Sequence, residues 1–227
     1  MADSLDNIET TPYHKLVKYK SGIKSLDTIH KEWMDLSGLI YSFDNYQIFD
    51  NTCHIGIEIE VENIPLYDLS NSYAWVVKDD GSLRNNGKEF ISLPLKGDQI
   101  SIGLQHLFRN VLPRDREFSH RCSDHIHVNF RSGTPEQLAA FICVYLICEK
   151  LLFKFVGQDR SKNIFCVPLL DTCLTGDLYR GLKQGFLNWV WYKYSAFNIL
   201  PLFTQGSIEF RHLYGTDNMI KIINWIN

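Results

Sequence analysis

Three short segments of this chain carry polar or charged side chains at every second position. They are Gly56-Ile57-Glu58-Ile59-Glu60-Val61-Glu62, His125-Ile126-His127-Val128-Asn129-Phe130 and Ser207-Ile208-Glu209-Phe210-Arg211. Side chains on a β-strand alternate between its two faces. As strands, these segments put Glu58, Glu60 and Glu62 on one face and Ile57, Ile59 and Val61 on the other. His125, His127 and Asn129 oppose Ile126, Val128 and Phe130, and Glu209 and Arg211 oppose Ile208 and Phe210. A sheet made from them has one apolar face and one face of carboxylates, imidazoles and a guanidinium. Hard cations take several carboxylate oxygens. The planar fork of arginine donates two hydrogen bonds to a phosphate. The polar face therefore has the chemistry of a metal and phosphate site.

Each pair also has a plainer reading. A half-buried strand turns glutamates to water without any ligand, and Glu209 with Arg211 reads equally as a surface ion pair of little worth. His125 and His127 read as a zinc or iron pair or as a surface strand. The cupin pattern wants a glutamate soon after the histidines, but the next one, Glu136, falls in a helix start. Metal-dependent amidohydrolases place His-x-His on an early strand of a long barrel, whereas here the pair is central in a short chain. A zinc site joining Cys122 to the histidines is a further reading. Arg84, Arg160, Lys193 and Arg211 are cations that read singly as surface charges.

The elements must place these residues within 227 residues, a length for one large domain or two small ones. With 45% hydrophobic and 13% aromatic residues, the chain has enough apolar surface for a substantial core. A net charge of −3 gives no basic surface for nucleic acid. The start, Met1-Ala2-Asp3-Ser4-Leu5-Asp6, lacks the basic segment and apolar run of a signal peptide. The longest apolar stretch, Leu138 to Phe155, contains Glu149, Lys150 and Lys154, which makes it a core helix and not a membrane span. The six cysteines include no Cys-x-x-Cys pair. They read as reduced, mostly buried thiols in a cytoplasmic protein.

Residues 1–20 read as a loosely attached arm, and 24–40 as a helix carrying Leu26, Ile29, Trp33 and Leu36. Strands are expected over 54–62, 73–78, 88–93 and 124–130, and at Glu209. Turn signals fall at Asp79-Asp80-Gly81-Ser82, Asn85-Asn86-Gly87 and Gln205-Gly206. Weak helix is expected over 101–112. Thr134-Pro135-Glu136 starts a helix running to about 156. Further helices are expected over 176–190 and after a Thr216-Asp217 cap. Antiparallel strands with helices grouped between them make the class α+β.

Taken in order, Gly56-Ile57-Glu58-Ile59-Glu60, Asp80-Gly81-Ser82-Leu83, Glu89-Phe90-Ile91-Ser92, His125-Ile126-His127, Arg160 with Asn163 and Cys166, Lys193-Tyr194 with Asn198, and Ile208-Glu209-Phe210-Arg211-His212 resemble the amidoligase family. These are ATP-dependent carboxylate–amine ligases related to glutamine synthetase and glutamate–cysteine ligase. The resemblance covers about residues 54–227. It implies a curved antiparallel sheet with helices on its convex face, a glutamine-synthetase-like catalytic fold, with ATP and Mg2+ on the concave face. Residues 1–50 would then be an N-terminal arm and helix, and 51–227 the catalytic domain. It implies metal binding by Glu58, Glu60, Glu89, His127 and Glu209. Arg160, Lys193 and Arg211 would hold phosphate or the transferred group. Asp80, Ser82, His125, Asn129 and Asn163 would orient a small-molecule or peptide carboxylate and an amine. Lys193 stands where the pattern expects arginine, which makes it a point charge and not a fork. The resemblance also expects more chain after the last helix, or an oligomer or partner that completes that end. A zinc hydrolase and a non-catalytic nucleotide- or partner-binding relative are the rival readings.

Overall fold

The computed structural model describes residues 10–16, 52–65, 74–172 and 191–227. In chain order the elements are α1 (Tyr13–Leu16), β1 (Ile55–Val61), β2 (Trp75–Asp79), β3 (Lys88–Ser92), α2 (Asp98–His106), β4 (Ser123–Asn129), α3 (Pro135–Val156), β5 (Phe197–Asn198), β6 (Ser207–Tyr214) and α4 (Met219–Ile226). Each strand pair with a defined register is antiparallel, so the class is α+β. The helices expected over 24–40 and 176–190 lie outside the described residues. Contacts group the chain into two compact units. The first is Gly22–Val128 with Leu213–Asn227, and the second is Met1–Ser21 with Asn129–His212.

In the first unit β1 lies between β3 and β4, and β2 pairs with the outer side of β3. The alternation holds: Ile57, Ile59, Val61, Trp75 and Phe90 are completely buried. They share the core with Ile100 and Leu104 of α2, which runs on through a π-type turn to Val111. Each aliphatic side chain so buried contributes about 1.5–3 kcal/mol. The Trp75 indole N–H donates to the Gly103 carbonyl at 3.0 Å, which leaves its polar atom satisfied inside the core. Asn85 and Asn86 take positive φ values of 49° and 55° in the turn before β3. Asparagine tolerates this left-handed region, and the turn closes with a Gly87 N–H to Arg84 carbonyl bond of 2.8 Å.

The expected cap of the last helix is corrected from Thr216 and Asp217 to Asn218. The Asn218 side chain, not that of Thr216 or Asp217, accepts from the Lys221 N–H at the start of α4. Thr216 is buried, with its N–H on the Asp124 carboxylate at 3.2 Å and its hydroxyl oxygen accepting from the Asn218 N–H. Asp217 is drawn to Arg116 at 2.7 Å.

The second unit is organised by α3. The Thr134 hydroxyl accepts from the Gln137 N–H, the Gln137 side chain accepts from the Thr134 N–H, and Pro135 fills the first turn. This capping box satisfies two otherwise orphaned donors. Leu138, Ile142, Tyr145, Glu149, Phe153 and Val156 form the buried side of α3. The Tyr145 ring stacks on Phe197 of β5, with centroids 4.6 Å apart. β5 pairs with β6 through Phe197 opposite Phe210 and Asn198 opposite Glu209. The expected loose arm is not found over residues 10–16. There the Tyr13 N–H donates to the Gly133 carbonyl, and the buried Tyr13 ring meets Phe130 and Phe203.

The cysteines are less uniformly buried than expected. Of the five described, all free, Cys122 and Cys166 are buried, Cys53 and Cys148 are intermediate and Cys143 is exposed. No helix among the described residues is long and apolar enough to cross a membrane.

Candidate functional site

The polar face of the first unit brings together six of the expected residues. Strand register sets Glu60 opposite Glu89 and Glu58 opposite His125. His127 stands opposite Gly56, where an added Cβ would lie only 3.3 Å from the His127 Cβ. The glycine thus leaves room for the imidazole. Both histidines turn to one carboxylate: His125 Nδ1 and His127 Nε2 each lie 3.1 Å from Glu58. His125 Nε2 lies 3.8 Å from Glu60.

Two sets of three ligand atoms converge here, each within 4.8 Å of one another: Glu58, Glu89 and His125, and Glu60, Asp80 and Glu89. Asp80 arrives through the turn after β2, where its carboxylate also accepts the Ser82 N–H at 2.7 Å. Ser82 enters through its backbone as well, its carbonyl accepting from Arg121 Nη1 at 2.7 Å. Glu62, which continues the alternation of β1, does other work: it is buried and accepts the Arg84 N–H at 2.8 Å.

Crowding of acids sets the protonation of this face. The Glu89 carboxyl is pushed up to about 9, by burial first and then by Glu58, Glu60 and Asp80. At neutral pH it keeps a proton for Glu58 to accept. For Glu58 burial pushes upward, but the charges and hydrogen bonds of His127 and His125 outweigh it and hold the group well below its usual range. One carboxylate is kept charged beside one kept protonated.

The second unit brings together Glu209, Arg211 and Asn198. Glu209 is buried, its Oε2 accepts from Asn198 Nδ2 at 2.6 Å, and its Oε1 pairs with Arg211 Nη1. Arg211 Nε also donates to the Phe165 carbonyl at 3.3 Å. Arg160 reaches the same strand but faces its backbone, with Nε donating to the His212 carbonyl and Nη2 to the Arg211 carbonyl, both at 3.1 Å. Lys193 is exposed, with Nζ 4.5 Å from the Tyr194 ring centroid. Asn129 and Asn163 close local turns, accepting from the Arg131 and Phe165 N–H groups at 3.3 and 2.9 Å.

Behind β6 lies a buried polar group that the sequence reading passed over. Glu149 accepts the Tyr145 hydroxyl at 2.7 Å and the Leu170 N–H at 3.0 Å, and it also takes the Leu169 N–H. The Tyr145 oxygen lies 2.9 Å from His212 Nε2. The phenol's one proton goes to Glu149, so His212 donates from Nε2 as the neutral ring. Burial first, and Arg160 second, push its pKa down to about 3. The signal was available: Glu149 is an acid at a core-spaced position in the apolar middle of α3. Asn198 was legible only as the end of the Lys193–Asn198 motif.

Cys122, the further zinc candidate, is not in any of the possible metal-ligand groups among the described residues, and burial pushes its thiol up to about 12. No family model, curated protein or solved structure matches the chain.

Proposed function

We propose that this chain is an ATP- and magnesium-dependent carboxylate–amine ligase of the amidoligase type, with a curved glutamine-synthetase-like sheet. The observation that carries the proposal is the all-carboxylate set Glu60, Asp80 and Glu89, with Glu58 beside it. Oxygen donors of this kind suit magnesium. A bound divalent cation would neutralise phosphate charge and polarise the transferred phosphoryl group.

In the reaction proposed, a substrate carboxylate oxygen attacks the γ-phosphorus of ATP. An acyl phosphate forms and ADP leaves. An amine then attacks the acyl carbon, the amide bond forms, and phosphate departs with the bonding electrons while the nitrogen gives up its proton. Glu58, Glu60 and Glu89, joined by Asp80, would hold the cation, with His125 and His127 against Glu58. Glu209 orients Arg211, whose guanidinium holds phosphate, and Lys193 adds a point charge. Arg160 positions the Arg211 strand. Ser82, Asn129 and Asn163 shape the loops that receive substrate. A cytoplasmic setting, with its ATP and magnesium, goes with this reading.

The zinc-hydrolase reading would draw on His125 with Glu58 and Glu89, and metal analysis separates it from the ligase reading. The test is nucleotide turnover: Mg2+-dependent ADP release screened over pools of carboxylates and amines, with mass spectrometry of the product. Absence of ADP release with every acid and amine supplied favours a non-catalytic relative.

A further inference from the structure

The longest helix among the described residues turns an apolar line to solvent. On α3, Val144, Ile147 and Leu151 are 59%, 80% and 65% exposed. Single exposed aliphatic residues need no explanation, but a contiguous line on one helix marks an interaction surface. At 100° per residue, Glu136, Ala140, Ile147 and Lys154 fall within an arc of about 40° on the helix circumference. Cys143, Val144, Lys150 and Leu151 flank that line. Glu136, Lys150 and Lys154 are exposed. The face therefore reads acidic at its first turn, apolar along its middle and basic at its last turns.

This order is complementary to itself when reversed. Two such helices laid antiparallel about a two-fold axis at the level of residue 145 set Glu136 of each copy against Lys154 of the other. Ile147 then comes opposite Cys143, and Leu151 opposite the small pair Ala139 and Ala140. A two-fold contact requires this reciprocity of positions. A parallel pairing would instead stack like charges at both ends.

We propose that α3 is a self-association surface through which a second copy of this chain docks antiparallel. The exposed line is short, so the dimer is weak and concentration-dependent. The proposal is independent of the ligase reading.

The test is sedimentation of the full chain from about 1 µM to about 500 µM, a range that spans weak dimers. A monomer–dimer equilibrium is expected. Ile147→Glu shifts it to monomer with an unchanged far-ultraviolet dichroism spectrum. Glu136→Lys and Lys154→Glu each weaken association several-fold, and the two together restore it, because the swapped pairs are complementary again. The doubly swapped variant also separates loss of contact from loss of folding. A chain monomeric throughout, a dimer indifferent to Ile147→Glu, or a double swap that fails to recover would each overturn the proposal. A monomer that instead binds anionic vesicles through this face would overturn it too.

Discussion

Glu60 of β1 and Glu89 of β3 stand directly opposite each other on the same face of the sheet. Like charges in that position repel. The repulsion is relieved by a proton on Glu89, whose carboxyl is held up at about 9. The arrangement is unfavourable for an empty sheet and suited to one that receives a cation.

The first prediction follows from that proton. Glu89 has a usual value of 4.5 and a folded value of about 9, so the folded state binds the proton more tightly. Its contribution is fully present below 4.5 and is lost as pH rises toward 9. His212, lowered from 6.5 to about 3, acts oppositely and costs stability only as pH falls below 6.5. Among the described groups whose pKa is shifted, Glu89 therefore gives the main slope between pH 6.5 and 9. Thermal melting in chelator should show stability falling across that window, and Glu89→Gln should flatten the fall. A wild-type profile that is flat or rising would count against the assignment.

Metal binding should release protons. A cation that takes the Glu89 oxygens displaces the proton held there. Calorimetry of Mg2+ or Mn2+ binding at pH 7 in buffers of different ionisation enthalpy should report about one proton released per ion. Glu89→Gln should bind more weakly and release none.

Arg160 separates a positioning role from a phosphate-holding one. Its guanidinium bridges the Arg211 and His212 carbonyls, and an ammonium cannot span both. Arg160→Lys should cost about 2 kcal/mol of stability, the scale of one lost hydrogen bond to a charged group. Unchanged melting with weakened nucleotide binding would instead return Arg160 to the phosphate.

The α3 cap gives a purely structural prediction. Thr134→Ala removes the hydroxyl that accepts the Gln137 N–H and should cost about 1 kcal/mol, read as a lower melting temperature. Thr134→Ser should cost much less.

Much of this was legible because strands alternate. Glu58, Glu60, His125 and His127 announce their shared face by period alone, and Thr134-Pro135 announces the start of α3. The pairing of Glu60 with Glu89 was not legible, since register depends on contacts between distant segments. The α4 cap was missed because burial of Thr216 near Asp124 is a tertiary event. Arg160 reads by residue type as a surface charge and by the family resemblance as a phosphate ligand, and only the fold reveals the carbonyls it faces. Glu149 was used to argue against a membrane span, when its spacing on α3 already placed it in the core.

The role proposed for the Glu58-centred carboxylates is ATP-dependent bond formation. The direct measurement is Mg2+-dependent ADP release from wild type and Glu58→Gln, with carboxylate and amine pools supplied. Release is expected to require both an acid and an amine, to yield an amide by mass, and to disappear in Glu58→Gln while the fold is retained. One tightly held zinc ion with no nucleotide binding, or full activity in Glu58→Gln, would contradict it.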